Sequence, residues 1–163
     1  MNKKAILNAV EAALEKRFET AKSAAIQARQ AATSEESVAE NKYDTFGLEA
    51  SYLAHGQSQR VLDCENEWLT FNKLTNDLIN QTSGEIALWS VVGLSSFDDN
   101  QEDKYFFISS FAGGLTVELN GQSVFLVTPS SPVGKTLLGK EEGEEVVLFQ
   151  HGTEVSYEIE TIL

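Results

Sequence analysis

The sequence predicts an α+β chain in two parts: an antiparallel helical hairpin over residues 1–80, and a small antiparallel β domain with one short helix over residues 81–163. Three observations predict this. From Lys3 to about Ala32 there is neither Gly nor Pro, and the strong helix formers Ala, Glu, Gln, Lys and Arg dominate. A second helical stretch runs from about Leu48 to Asn80. After Asn80 the pattern changes to short runs rich in aliphatic and aromatic residues, separated by turn signals.

In the first helix Leu14, Phe18, Ala21, Ala25, Ala28 and Ala32 are spaced by four, three, four, three and four, the seam of a helix packed along a partner. The seam shrinks from Leu and Phe to Ala, so the hairpin is expected to be slimmest near its turn. Leu48, Tyr52, Leu62, Leu69, Leu74 and Leu78 are among the apolar positions of the second helix, and Gly56 weakens it locally by about 1 kcal/mol relative to Ala. At a rise of 1.5 Å per residue, thirty residues make an arm on the order of 45 Å, more than a domain of this size needs for its own core.

Six strand candidates follow: Ile86–Val92, Tyr105–Ser109, Leu115–Leu119, Val124–Val127, Glu145–Phe149 and Val155–Ile159. Asn120-Gly121 is a type I′ hairpin signal, and residues 98–103 read as a polar loop. One helix is expected from Ser131 to Leu138, with Pro132 in its first turn, where a missing N–H costs nothing, and Gly139 ending it. The boundary between the parts falls near Gln81-Thr-Ser-Gly84.

Charge bounds the function. The chain carries 25 acids against 12 bases, a formal −13, which argues against a generic hold on duplex DNA, because phosphate binding needs a basic footprint. Residues 81–163 hold 13 acids and 3 bases, and residues 1–80 hold 12 and 9, so the β domain is the half expected to meet a basic partner surface. The single cysteine, Cys64, excludes an intramolecular disulfide framework and a thiolate metal cage. Asn8, Glu11 and Glu15 interrupt the apolar residues after Lys3 and Lys4, and no run approaches the roughly 18 apolar residues of a membrane span. A soluble, cytoplasmic protein without a membrane partner is expected.

Several motifs dissolve on inspection. Gly134-Lys135-Thr136 resembles the end of a phosphate loop, but the glycine required five positions earlier is Pro129. His55 and His151 have no second ligand at metal spacing, and no Ser, His and Asp arrangement suggests nucleophilic catalysis. The turn between the helices is more informative. Residues 33–49 read Thr-Ser-Glu-Glu-Ser-Val-Ala-Glu-Asn-Lys-Tyr-Asp-Thr-Phe-Gly-Leu-Glu. For an antiparallel pair spanning residues 3 to 80 the midpoint falls near 41 or 42, which sets Glu40, Asn41 and Asp44 foremost, flanked by Glu36 and Glu49. Such acids are ordinarily solvated surface or first-turn helix charges. Tyr43 and Phe46 either pin the bend against the helices or meet a partner, since aromatics are enriched at interfaces.

Val127-Thr-Pro-Ser-Ser-Pro-Val-Gly-Lys-Thr-Leu-Leu-Gly-Lys-Glu-Glu-Gly-Glu-Glu-Val-Val, followed by Tyr157-Glu-Ile-Glu-Thr-Ile, resembles the C-terminal domain of the GreA/GreB family of bacterial transcription elongation factors. There a helix opened by Ser-Pro and closed by Leu-Leu-Gly-Lys leads into an acidic turn and a final strand pair, and the spacing is matched over about thirty residues. The resemblance implies an FKBP-like sheet joined to a coiled coil, a monomer when free, and RNA polymerase as partner. It implies that the globular domain docks at the rim of the secondary channel and that the coiled coil carries its acidic tip to the active centre. In cleaving members, tip carboxylates help hold the second Mg²⁺ of the polymerase, next to the 3′ end of backtracked RNA, and the polymerase itself hydrolyses the transcript. On this reading the protein is an accessory factor and not an enzyme, binds no cofactor alone, and shares Mg²⁺ through Glu40 and Asp44. Glu36, Asn41, Tyr43, Phe46 and Glu49, with Ser131, Pro132, Lys135, Leu138 and Lys140 of the matched motif, would then be partner-facing. Hard oxygen ligands suit Mg²⁺, which takes only one or two carboxylates from a given partner.

The tip departs from the family pattern. Cleaving factors show Asp-Leu-Lys-Glu-Asn-Ala-Glu-Tyr, whereas here aligning Glu-Asn sets the second acid at Glu40 and Ser37 three residues earlier, with Glu36 one further back. Aligning Tyr52 and Gln59 instead moves the tip onto Asp44–Glu49, again without an acid pair at that spacing. Two polymerase readings therefore stand, a cleavage-stimulating factor and a non-cleaving channel regulator. A prolyl isomerase or chaperone is a remote third, by analogy of fold alone.

Overall fold

The computed structural model describes residues 2–34, 45–81, 83–97, 102–150 and 152–163. Two long helices, α1 (Lys3–Ala32) and α2 (Phe46–Ile79), precede six strands, β1 (Val91–Ser96), β2 (Lys104–Ile108), β3 (Thr116–Leu119), β4 (Gln122–Val127), β5 (Glu145–Gln150) and β6 (Thr153–Ile162). The short helix α3 (Pro132–Leu137) lies between β4 and β5. The α+β class is the one expected from the sequence. The chain divides into two compact units, Glu11–Lys73, and Met1–Val10 with Leu74–Leu163.

In the Glu11–Lys73 unit, α1 and α2 pair along a seam. Arg17 Nη1 meets Glu67 Oε2 at 3.0 Å, Phe18 stacks on Trp68 with ring centroids 5.8 Å apart, and Phe18, Ala21 and Cys64 form a buried cluster against Val61 and Trp68. Leu14, Phe18, Ala21 and Ala28 are buried and Ala25 and Ala32 half-buried, so the α1 seam lies where its spacing placed it. The α2 seam does not follow its large residues. Leu48, Tyr52, Leu62 and Leu69 are exposed, Leu74 is half-buried, and of the six only Leu78 is buried. The inward line is Ala50, Ala54, Gln57, Val61, Cys64, Trp68, Phe71, Thr75 and Leu78, spaced alternately by four and three. Toward the turn this line holds Ala50, Ala54 and Gln57, and the leucines lie on other faces. Gly56, exposed and with open space around its Cα, does not interrupt α2.

The second unit holds the sheet and the helix ends. Ile6, Leu7 and Val10 of α1 are fully buried in it, and Lys3 Nζ donates to Gln81 O at 2.6 Å. The sheet order is β3-β4-β2-β1-β6-β5, antiparallel except for β2 and β4, which run parallel. Val92, Leu94, Phe106, Ile108, Val146, Leu148, Tyr157 and Ile159 form its core with Ile86 and Leu137. Asn120 and Gly121 both take positive φ, 53° and 80°, as the expected type I′ turn requires. The first strand starts later than the apolar run at Ile86 suggests. Ser90 N bonds back to Ala87 O, Ser90 Oγ accepts from Ala87 N, and Trp89 sits at φ 71°, so residues 87–90 make a turn and β1 begins at Val91.

Candidate partner-binding site

The matched motif builds α3 and its flanks. Ser131, in extended backbone at φ −68° and ψ 156°, is the N-cap, and its Oγ accepts from Gly134 N at 3.0 Å while donating to Thr128 O at 2.7 Å. Pro132 occupies the first helical position and is exposed. Leu138 closes the helix, its N–H bonding Gly134 O, and packs on the sheet core, after which Gly139 turns the chain at φ 75°. Gly134 is the tightest point. A Cβ there would meet Thr128 O at 2.0 Å, so the glycine of the discarded phosphate-loop likeness is required by packing against the end of β4.

The acidic turn after α3 is tied down by its own charges. Lys140 Nζ bonds Glu144 Oε1 at 2.6 Å, Glu144 Oε2 accepts from Glu141 N at 2.8 Å, and Glu142 Oε1 accepts from Ile162 N at 2.7 Å in β6. The Lys140 hydrogen bond, then that of the Glu141 amide, hold the Glu144 carboxyl below its usual range. Of the five expected motif residues, Ser131, Leu138 and Lys140 are engaged within the domain. Pro132 and Lys135 are exposed.

Two apolar recesses flank α3. One, of about 210 Å³, is lined by Lys104, Phe106, Phe125, Val133, Leu148 and Phe149; the other, of about 510 Å³, by Phe106, Gly113, Gly114, residues 125–128 and Ser131. Phe106 and Phe125, neighbours in the parallel β2–β4 register with ring centroids 5.9 Å apart, belong to both. Sequence reasoning missed these phenylalanines. They fall in the aliphatic and aromatic runs read as strands, and only the β2–β4 pairing brings two of them together beside α3.

At the other end of the chain, Phe46 opens α2 and is 54% exposed. Glu49 Oε1 accepts from Thr45 Oγ1 at 2.8 Å in the first turn of α2, where a negative charge complements the helix dipole. Glu36, Glu40, Asn41, Tyr43 and Asp44, and also His151, lie outside the described residues. Among the described residues no group of three His, Cys, Asp or Glu is arranged to hold a metal, His55 is exposed, and no helix is long and apolar enough to cross a membrane.

No protein-family model matches the sequence, and no curated protein does. Among solved structures, the chain is similar to the GreA factor homolog 1 (Gfh1) of Thermus thermophilus at 21% identity, covering 94% of each chain with a TM-score of 0.40. The Gfh1 of Thermus aquaticus is 24% identical, covering 91% of this chain and 90% of its own, with a TM-score of 0.40. The prokaryotic transcription elongation factor GreA/GreB of Nitrosomonas europaea is 16% identical over 55% of this chain and 78% of its own, with a TM-score of 0.38.

Proposed function

We propose that the chain is a Gre-like accessory factor of RNA polymerase, entering the secondary channel with its helix pair and docking with its β domain. One observation carries the reading: the residues that resemble the GreA/GreB C-terminal motif fold as a unit, with Ser131 capping, Gly134 packed without room for a Cβ, and Gly139 closing α3. They do so in a chain whose other half is the long helix pair that the same resemblance implies. The helix register supports the rest. Arg17 pairs with Glu67 and Phe18 stacks on Trp68, so α1 and α2 run antiparallel, as this reading requires. In the complex the carboxylates of Glu40 and Asp44 would share the polymerase's Mg²⁺, for which oxygen donors from one or two acids suffice. The protein adds no chemistry of its own beyond placing charge and excluding bulk water.

The test uses purified core polymerase stalled in a backtracked complex. The full chain should bind it and shorten the RNA 3′ end, and Glu40→Ala with Asp44→Ala should abolish shortening while leaving binding within about threefold. Absence of binding would sink the polymerase reading. A second reading is favoured by the acid spacing, in which neither alignment sets two carboxylates three residues apart. Binding that slows nucleotide addition, or displaces a cleaving factor, without shortening the transcript would identify a non-cleaving channel regulator.

A further inference from the structure

Among the described residues, no strand pairs with the outer edge of β5. β5 ends the sheet of described strands and pairs with β6, in the register Glu145 to Glu158, Val147 to Ser156 and Phe149 to Glu154. Ile159 N donates to Glu144 O, so by antiparallel alternation residues 146, 148 and 150 bond across to β6, while the N–H groups of Glu145, Val147 and Phe149 face the free edge. Exposed edges are ordinarily blunted by brevity, lysine or proline. The opposite edge, β3, has four residues, of which the exposed ones are Thr116 and Glu118. β5 has six residues, without Lys or Pro, and presents Val147 at 49% and Phe149 at 73% exposure.

The chemistry around this edge selects an occupant. Glu145 stands directly opposite Glu158, a like-charge pair that costs stability when unpartnered, and Glu154 sits beside Phe149. Neither β5 nor β6 contains a Lys or Arg. Leu148 and Phe149 also line the 210 Å³ recess with Phe106, Phe125 and Val133, so the strand overlooks a cavity large enough for one aliphatic or aromatic side chain. A second copy of this chain would bring the same carboxylates against themselves. We infer that β5 is an acceptor edge for an extended, cationic segment of a partner protein, which adds as a seventh strand. Its Lys or Arg side chains lie over Glu145, Glu154 and Glu158, with their stems on Val147 and Phe149, and one apolar side chain enters the Phe106–Phe125–Leu148 recess.

This is independent of polymerase binding and is tested with the purified chain alone. The probe is a capped, fluorescent seven-residue peptide alternating Lys with Val and Leu. Comparison peptides carry Glu in place of Lys, or the same composition without alternation. The alternating cationic peptide should bind at least tenfold more tightly than either, with slowed amide exchange at Glu145, Val147 and Phe149. Val147→Pro removes an outward N–H without touching the β6 ladder, and Phe149→Ala removes an exposed ring; each should weaken binding tenfold or more. Equal binding of the three peptides, exchange protection elsewhere, or Phe149→Ala binding within twofold of the parent overturns the inference. Concentration-dependent dimers protected at β5 would overturn it in favour of self-pairing.

Discussion

Replacing Gly134 by alanine separates packing from helix propensity. In an unconstrained helix interior Gly→Ala gains about 1 kcal/mol. At Gly134 the new methyl would begin 2.0 Å from Thr128 O, 2.9 Å from its carbonyl carbon and 3.0 Å from Ser131 Oγ, against an ordinary contact of 3.4–4 Å. The nearest atoms are backbone, so a rotamer change cannot relieve the clash. Moving α3 off β4 by more than an ångström costs about 1–3 kcal/mol of overpacking. It also pulls Thr128 O and Gly134 N from the Ser131 hydroxyl, forfeiting about 1 kcal/mol of capping. After the propensity gain, a net loss of about 1–3 kcal/mol remains. That lowers Tm by about 4–8 °C for each kcal/mol in a domain of this size. Of the two tryptophans, Trp68 lies in α2 and Trp89 beside β1, so urea unfolding of a Trp68→Phe background, followed by Trp89 fluorescence, reads the β domain. Gly56→Ala is the internal control, since nothing lies within 4 Å of that position, and it should stabilise the helix pair by up to about 1 kcal/mol. A Gly134→Ala protein as stable as its parent would refute the packing account of the motif.

Ala28→Leu, at a buried seam position, should destabilise the helix pair by about 1–3 kcal/mol in thermal melts followed at 222 nm, a wavelength that reports helix. Glu144 has a lowered folded pKa, so its contribution is present above the ordinary carboxylate range, about 4.3, and is lost as pH falls through the folded value. Glu144→Gln should accordingly flatten the acid limb of the melting curve below about pH 5 while leaving the neutral limb's slope unchanged. Lys135→Glu should weaken polymerase binding at least about tenfold without moving Tm, as expected for an exposed charge, whereas Ser131→Ala should lower stability by about 1 kcal/mol in the same melts.

Elements were legible where one physical signal acted alone. The 30-residue α1 follows from composition and spacing, the Asn120-Gly121 turn from its need for positive φ, and α3 from Ser131, Pro132 and Gly139. The first strand misled because Ile86 and Leu88 are apolar for reasons other than strand pairing. Ile86 joins the sheet core through a loop whose N–H bonds Lys140 O, and Leu88 packs against that core from the turn. The parallel β2–β4 pair, and with it the Phe106–Phe125 wall, was illegible because register between non-consecutive strands leaves no local trace. Glu49 was legible as an acid near the helix start, whereas the hydrogen bond it accepts from Thr45 Oγ1 is a local contact that spacing does not reveal.

The α2 seam shows why size is a poor guide in a helix pair. Both the buried line and the exposed line through Leu48, Tyr52, Leu62 and Leu69 run at heptad-compatible spacing, so periodicity alone accepts either. What separates them is the partner. An α1 seam that tapers to Ala21, Ala25, Ala28 and Ala32 is matched by the inward line through Ala50, Ala54, Gln57 and Cys64, while the row of leucines stays exposed. Trp68 and Phe71 enter only nearer the base, where Phe18 provides a ring to stack on. The same constraint applies to the α3 motif. Gly134 fits because Thr128 leaves no room, and Ser131 because Gly134 N needs an acceptor, so local packing accounts for both whatever the domain binds. The exposed side chains around α3 include Pro132 and Lys135 on the helix, with Phe149 at the recess mouth.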